Sequence, residues 1–115
     1  MRDKFRVNVR GPLEQDAAGF AVELEHRGYT LSSLRDQLRL LAHVSRWLDE
    51  RGLRPRDLSA KRVTQFLAAR RRAGYTRLLS PRGLAPILEF LRANGRAPPE
   101  VPRRLGSFIG KLIAR

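Results

Sequence analysis

A histidine and an arginine three residues apart, His43 and Arg46, are the residues whose types and spacing most directly suggest chemistry in this sequence. Residues at this spacing on a helix share one face, so an imidazole and a guanidinium could both reach one phosphate group. Positioned cations stabilise the charge that develops on a phosphate during cleavage. Whether the pair belongs to a catalytic site or to a surface that only binds depends on the surrounding elements.

The composition excludes several other kinds of site. The chain has 115 residues and no cysteine, so disulfides and thiolate metal sites are excluded, and two histidines far apart do not indicate a zinc site. We therefore predict no metal and no cofactor. No long apolar run occurs, and the first residues lack the apolar core of a signal peptide. We expect a cytoplasmic protein with no membrane partner and no small-molecule substrate.

The charge is distributed unevenly along the chain. The formal net charge is +13; residues 1–50 hold eight basic and eight acidic side chains, whereas residues 51–115 hold sixteen and three. Such asymmetry is typical of proteins that bind nucleic acid, because each cation near a phosphate releases condensed counterions. Arginine outnumbers lysine 21 to 3, which is also typical of a GC-rich genome, so part of the charge could be solvated surface.

Apolar periodicity predicts a single all-α domain, a compact bundle of four helices. Serine and threonine caps and glycine stops set the predicted boundaries, and Pro86 predicts either a kink in the fourth helix or a start nearer Leu84. The predicted helices are Leu13–Arg27, about 31–51 after Thr30, about 60–73 after Ser59, and one that begins at Ser80-Pro81. We divide the chain into an extended arm (1–12), the helical domain (13–97), and a Pro-rich linker with a short amphipathic tail helix (98–115).

The second predicted helix has a polar face that is rich in arginine. Its leucines, with Val44 and Trp47, form a wide apolar face, and Arg35, Arg39, His43 and Arg46 fall on the opposite side. The third helix ends in Arg70, Arg71 and Arg72, where cations oppose the negative end of the helix dipole, so a solvated face is the simplest interpretation of that run.

The order of these elements resembles the N-terminal SAM-like core-binding domain of tyrosine recombinases (phage integrases). The resemblance covers roughly residues 13–97. It rests on helix endings and core positions in four segments, "FAVELEHRGYT", "TLSSLRDQLRLLAHVSRWLDERGL", "DLSAKRVTQFLAARR" and "LLSPRGLAPILEFLRANG". The sequence departs from the family at Gln37, where an aromatic residue is usual.

The resemblance implies that the second and fourth helices face the major groove of double-stranded DNA. Carried over by position, the DNA-binding residues are Arg35, Arg39, His43, Arg46, Arg82, Arg92 and Arg96. A secondary basic patch comprises Arg70, Arg71, Arg72 and Arg77. The chain also resembles the extra N-terminal segment of some transposon-type integrases, so binding to arm-site DNA and binding to core-site DNA both remain open.

The resemblance does not extend to catalysis. Tyrosine recombinases cleave DNA with an ordered set of Arg, Lys, His-x-x-Arg, a second His or Trp, and a nucleophilic Tyr. His43 and Arg46 have too little chain before them for the upstream part of that set, and no second His or Trp lies between Trp47 and Tyr75. We therefore expect a domain that is not an enzyme. The alternative is a helical protein-interaction module, in which residues 103–115 contact other recombinase subunits or an accessory protein.

Overall fold

Four α-helices make up most of the part of the chain that the computed structural model describes, residues 7–98. They are α1 (Ala17–His26), α2 (Leu31–Glu50), α3 (Ala60–Arg72) and α4 (Pro81–Ala93). Short 3-10 turns at Glu14–Asp16 and Pro55–Asp57 precede α1 and α3. The predicted all-α fold is confirmed. The predicted tail helix and the first half of the predicted arm lie outside the described residues.

Three helices begin at the hydroxyl residues that the sequence predicts as caps. The side chain of Thr30 accepts a hydrogen bond from the Ser33 amide at 3.1 Å, and Ser59 and Ser80 do the same three residues ahead, at 3.3 and 3.4 Å. The first helix differs, because residues 14–16 form the 3-10 turn and α1 begins at Ala17 without a side-chain cap. The predicted start at Leu13 was therefore several residues too early.

The fourth helix runs through a proline. Pro81 occupies its first turn, where a missing amide proton costs nothing, and the helix continues past Pro86 to Ala93. The predicted alternative start near Leu84 is wrong. Because proline has no amide proton, Pro86 cannot donate the helical hydrogen bond to the carbonyl of Arg82. This missing bond destabilises α4 locally, and the packing of its apolar face must compensate for it.

The apolar face predicted for the second helix forms the centre of the core. Leu34, Leu41, Val44 and Leu48 are at most 1% exposed, and the face packs against α1 and α4. Only Leu31 departs from the predicted stripe, since it lies at the start of α2 and is 48% exposed. The other helices contribute further core residues, among them Phe20, Leu24, Phe66, Leu84, Ile87 and Leu91.

The chain before the first helix is fastened to α2. Val9 and Leu13 are buried in the core, so the predicted arm is part of the packed domain from Val9 onward. The buried Ser45 hydroxyl donates to the carbonyl of Arg10 and accepts from the amide of Leu13, at 3.0 Å in the second case. Gly11 lies between them with φ of 93°, and a Cβ there would meet Ser45 Oγ at 3.0 Å, so any other residue would be strained in its backbone and crowded by Ser45.

Within residues 7–98, none of the helices has the length and apolar character needed to cross a membrane.

Candidate nucleic-acid interface

The polar face of α2 presents two of its four predicted DNA-binding residues freely to solvent. Arg39 has a side chain that is 64% exposed, and Arg46 is also exposed. Arg35 and His43 are partly covered, and Arg35 Nε is buried without a hydrogen-bond partner. The helical wheel suggests a uniformly solvated face, but two of these four residues are partly covered in the structure.

The imidazole of His43 is packed against aromatic rings. The ring centroids of Phe66 and Tyr75 lie 4.8 and 4.7 Å from its own, and Nδ1 is 2.7 Å from Arg70 Nη1. Because a guanidinium can only donate, Nδ1 must accept, and the proton of the neutral ring resides on Nε2. Burial, followed by the nearby charges of Arg70 and Arg46, lowers the pKa of His43 to about 4. His43 is therefore uncharged at neutral pH and can offer a phosphate only a neutral N–H.

Arg70 lies in the last turn of α3 and is only 6% exposed. Its Nε is 3.2 Å from both the Arg77 and Leu78 carbonyl oxygens, and its Nη2 donates to the Arg77 carbonyl at 3.1 Å. The Tyr75 ring covers the guanidinium, with its centroid 4.2 Å from Cζ. Burial lowers the pKa of Arg70, yet the guanidinium stays charged at neutral pH. Its interpretation as part of a solvated patch was wrong, because it holds a loop in place.

The segment held by Arg70, residues 73–79, joins α3 to α4, and we call it the α3–α4 loop. Arg71 extends the same arrangement, because its Nη2 donates to the Leu79 carbonyl at 3.1 Å. Three successive carbonyls thus accept from two neighbouring arginines, and Leu78 between them adopts a φ of 56°. A leucine in the left-handed region is strained by about 1–2 kcal/mol, so these bonds fix a conformation that the sequence does not favour locally.

The loop and the polar face of α2 enclose a cleft of about 560 Å³. Arg39, Arg46 and Arg77 line it together with His43 and Tyr75, and we call it the basic cleft. Its wall also contains one carboxylate, Asp36, whose oxygens lie 2.9 Å from Arg77 Nη2 and 3.4 Å from Arg39 Nη1. Counting the buried Arg70, four guanidinium groups face a single carboxylate, so the cleft is strongly positive.

The arginines predicted on the fourth helix do not join this cleft. Arg92 lines a smaller groove between α3 and α4 with Ala60 and Leu88. Arg96 binds Asp16 through contacts of 3.0 to 3.3 Å and donates to the Pro12 carbonyl at 3.2 Å. That ion pair ties the end of the domain to its beginning, so Arg96 has a structural role in the fold.

The first turn of the fourth helix does meet α2. The Gln37 amide donates to the Gly83 carbonyl at 3.2 Å, and Gln37 is buried. This hydrogen bond joins α2 to the first turn of α4. Arg82 precedes Gly83 in the chain and is exposed. It is therefore the predicted DNA-binding residue of α4 that lies next to this contact.

Sequence reasoning missed Asp36 and Tyr75 and placed Arg77 only in a secondary patch. Arg77 and Tyr75 lie near α2 because the hydrogen bonds of Arg70 hold the α3–α4 loop in this position. Apolar periodicity along the sequence does not predict such a contact between distant residues. The spacing of Asp36 and Arg39, three residues apart on a helix, was a signal that could have been used.

Neither the family models nor the curated proteins and solved structures with which the chain was compared contain a match.

Proposed function

We propose that this chain is a non-catalytic DNA-binding domain that contacts duplex DNA through the polar face of α2 and the α3–α4 loop. The observation that carries the proposal is the basic cleft, where Arg39, Arg46 and Arg77 point to one space and a buried arginine fixes the loop. Side chains with this charge and geometry bind phosphates, and phosphate contacts supply most of the affinity of such proteins.

The resemblance to the core-binding domain of tyrosine recombinases gives the proposal its biological class. The polar face of α2 is the surface that the family uses, and Arg82 adds a further cation beside it on α4. A role in DNA recombination is also consistent with the cytoplasmic location that the sequence predicts. Arg92 and Arg96 are the weakest members of the predicted set, because one lies in the α3–α4 groove and the other is ion-paired.

The test is a fluorescence-anisotropy titration of a labelled duplex at several salt concentrations. If about five phosphates are neutralised, log K should fall with log salt at a slope of about −4 to −5. Arg46→Gln and Arg77→Gln should each weaken binding at low salt and reduce the slope by about one. Arg56→Gln is the matched control, because Arg56 is exposed and does not line the cleft. Absence of duplex binding at 50 mM salt would overturn the proposal.

The non-catalytic part of the proposal has its own test. The structure brings Tyr75 into the same cleft as His43 and Arg46, which is the one arrangement in residues 7–98 that favours cleavage chemistry. Against it, Nδ1 of His43 is already occupied by Arg70, and the Tyr75 ring lies over that pair. Incubation with a nicked duplex should therefore give no covalent protein–DNA adduct on a denaturing gel, whereas an adduct abolished by Tyr75→Phe would show a catalyst.

A further inference from the structure

The basic cleft contains an exposed aromatic ring as well as cations. Tyr75 is 41% exposed, and it is the one aromatic residue among the large exposed apolar side chains of residues 7–98. Arg70 and His43 are joined by their 2.7 Å contact, so they cover the ring of Tyr75 together. The rest of the ring is exposed, and Tyr75 lines the cleft on a loop that the Arg70 hydrogen bonds hold fixed.

Cations that could bind the phosphate of a stacked base line the same cleft as this ring. Arg39, Arg46 and Arg77 line the same cleft as Tyr75, and the Arg39 and Arg77 side chains are 64% and 73% exposed. Asp36 forms ion pairs with both of those arginines. Its carboxylate therefore occupies a position between guanidinium groups that a phosphate oxygen could take. A phosphate could replace it, because Arg46 and Arg70 keep the cleft positive.

The size of the cleft favours a single nucleotide over a longer ligand. Its volume of about 560 Å³ falls within the range of roughly 300–1,000 Å³ typical of small-ligand sites. Bases inside a duplex are stacked on both faces, so neither face is open to an aromatic side chain of a protein. An unpaired base can, and stacking on an aromatic side chain is the common way in which proteins hold one.

We propose that the basic cleft binds one unpaired nucleotide of a DNA strand, with the base against Tyr75 and its phosphate between Arg39, Arg46 and Arg77. The domain would then prefer DNA with a frayed or single-stranded end next to the duplex. This inference rests on the proposed function, since it takes DNA as the ligand. The two can fail separately, because duplex affinity and the preference for an unpaired end are measured independently.

The experiment compares a blunt duplex with the same duplex carrying a four-nucleotide thymidine overhang, by anisotropy at one salt concentration. The wild-type protein should bind the overhang DNA tighter by about five- to 150-fold, the gain expected from stacking of a single base. The ratio of the two affinities should fall to about one in Tyr75→Leu, whatever its affinity for the blunt duplex, and should be retained in Tyr75→Phe. Equal binding of the two DNAs by the wild-type protein would overturn the inference, whereas binding to neither would overturn the proposed function.

Asp36→Asn provides a second variant that does not depend on the loop keeping its shape without Tyr75. Loss of the carboxylate frees Arg39 and Arg77, so binding of the overhang DNA should strengthen severalfold, and a weaker interaction would contradict the inference. Unlabelled oligothymidylate should compete with the overhang DNA at far lower concentration than free thymidine monophosphate. Equal competition by the free nucleotide would overturn the assignment to a DNA strand.

Discussion

Replacement of Arg70 by methionine should destabilise the domain more than any other single change of an arginine to methionine in residues 70–72. The substitution keeps the apolar stem of the side chain and removes the buried guanidinium. Three contacts with the Arg77 and Leu78 carbonyls, the contact with His43 Nδ1 and the stacking on Tyr75 are then lost. The strained φ of 56° at Leu78 also loses its anchor.

The magnitude follows from the kind of contact that is removed. Hydrogen bonds to a charged group contribute about 1.5–3 kcal/mol each when measured singly, but these contacts share one side chain and are not additive. Water can reach the released carbonyls, because residues 71–77 are exposed, which lowers the cost. We expect a loss of about 2–4 kcal/mol in the free energy of unfolding, or about 10–20 °C in melting temperature for a domain of this size.

Thermal unfolding followed by circular dichroism at 222 nm measures this loss. Arg71→Met is the matched control, because it removes an exposed arginine of the same run and one carbonyl contact, and should cost less than about 1 kcal/mol. If the Arg70 variant melted within a few degrees of the wild-type protein and no lower than the Arg71 variant, Arg70 would not hold the loop.

The remaining predictions concern pH, the Asp16 ion pair and Pro86. The pKa of His43 lies near 4 in the fold against its ordinary 6.5, so the unfolded chain takes up a proton first as the pH falls. Urea unfolding should show no contribution from this group above about pH 7.5. Between about pH 7.5 and pH 4 the free energy of unfolding should fall by about 1–2 kcal/mol, less than the full shift implies because the ring is half-buried. His43→Gln should remove this pH dependence. Asp16→Asn should lower the free energy of unfolding by about 1–2 kcal/mol, because the Asp16 side chain is only 8% exposed. Glu23→Gln is the control: it breaks the exposed ion pair with Arg27 and should leave the melting temperature unchanged. Pro86→Ala should raise the melting temperature through a gain of about 1–2 kcal/mol, since it restores a helical hydrogen bond; a lower melting temperature would show that the proline ring packs better than alanine.

The helices were predictable from the sequence because their signals are local. Thr30, Ser59 and Ser80 cap the helices that they were predicted to cap, and the leucine spacing of the second helix identifies its buried face. Each of these signals operates within four residues along the chain. Side-chain hydroxyls and apolar periodicity therefore fix where a helix starts and which side it buries.

The cleft was not predictable because it depends on contacts between distant residues. Arg70 and His43 are 27 residues apart, and Arg77 and Asp36 are 41 apart. In the sequence the run Arg70–Arg72 looks uniformly exposed, and only the packing of α3 against its neighbours decides that the first member turns inward. The buried ion pair of Asp16 and Arg96, 80 residues apart, is hidden from the sequence for the same reason.

An amide chemical-shift map of the 13.1 kDa protein titrated with duplex DNA tests the central claim most directly. The shifts should concentrate in residues 35–46 of α2 and residues 70–77 around the basic cleft, and they should diminish as salt is added. Shifts that concentrated on α1 and left these two segments unmoved would contradict this claim.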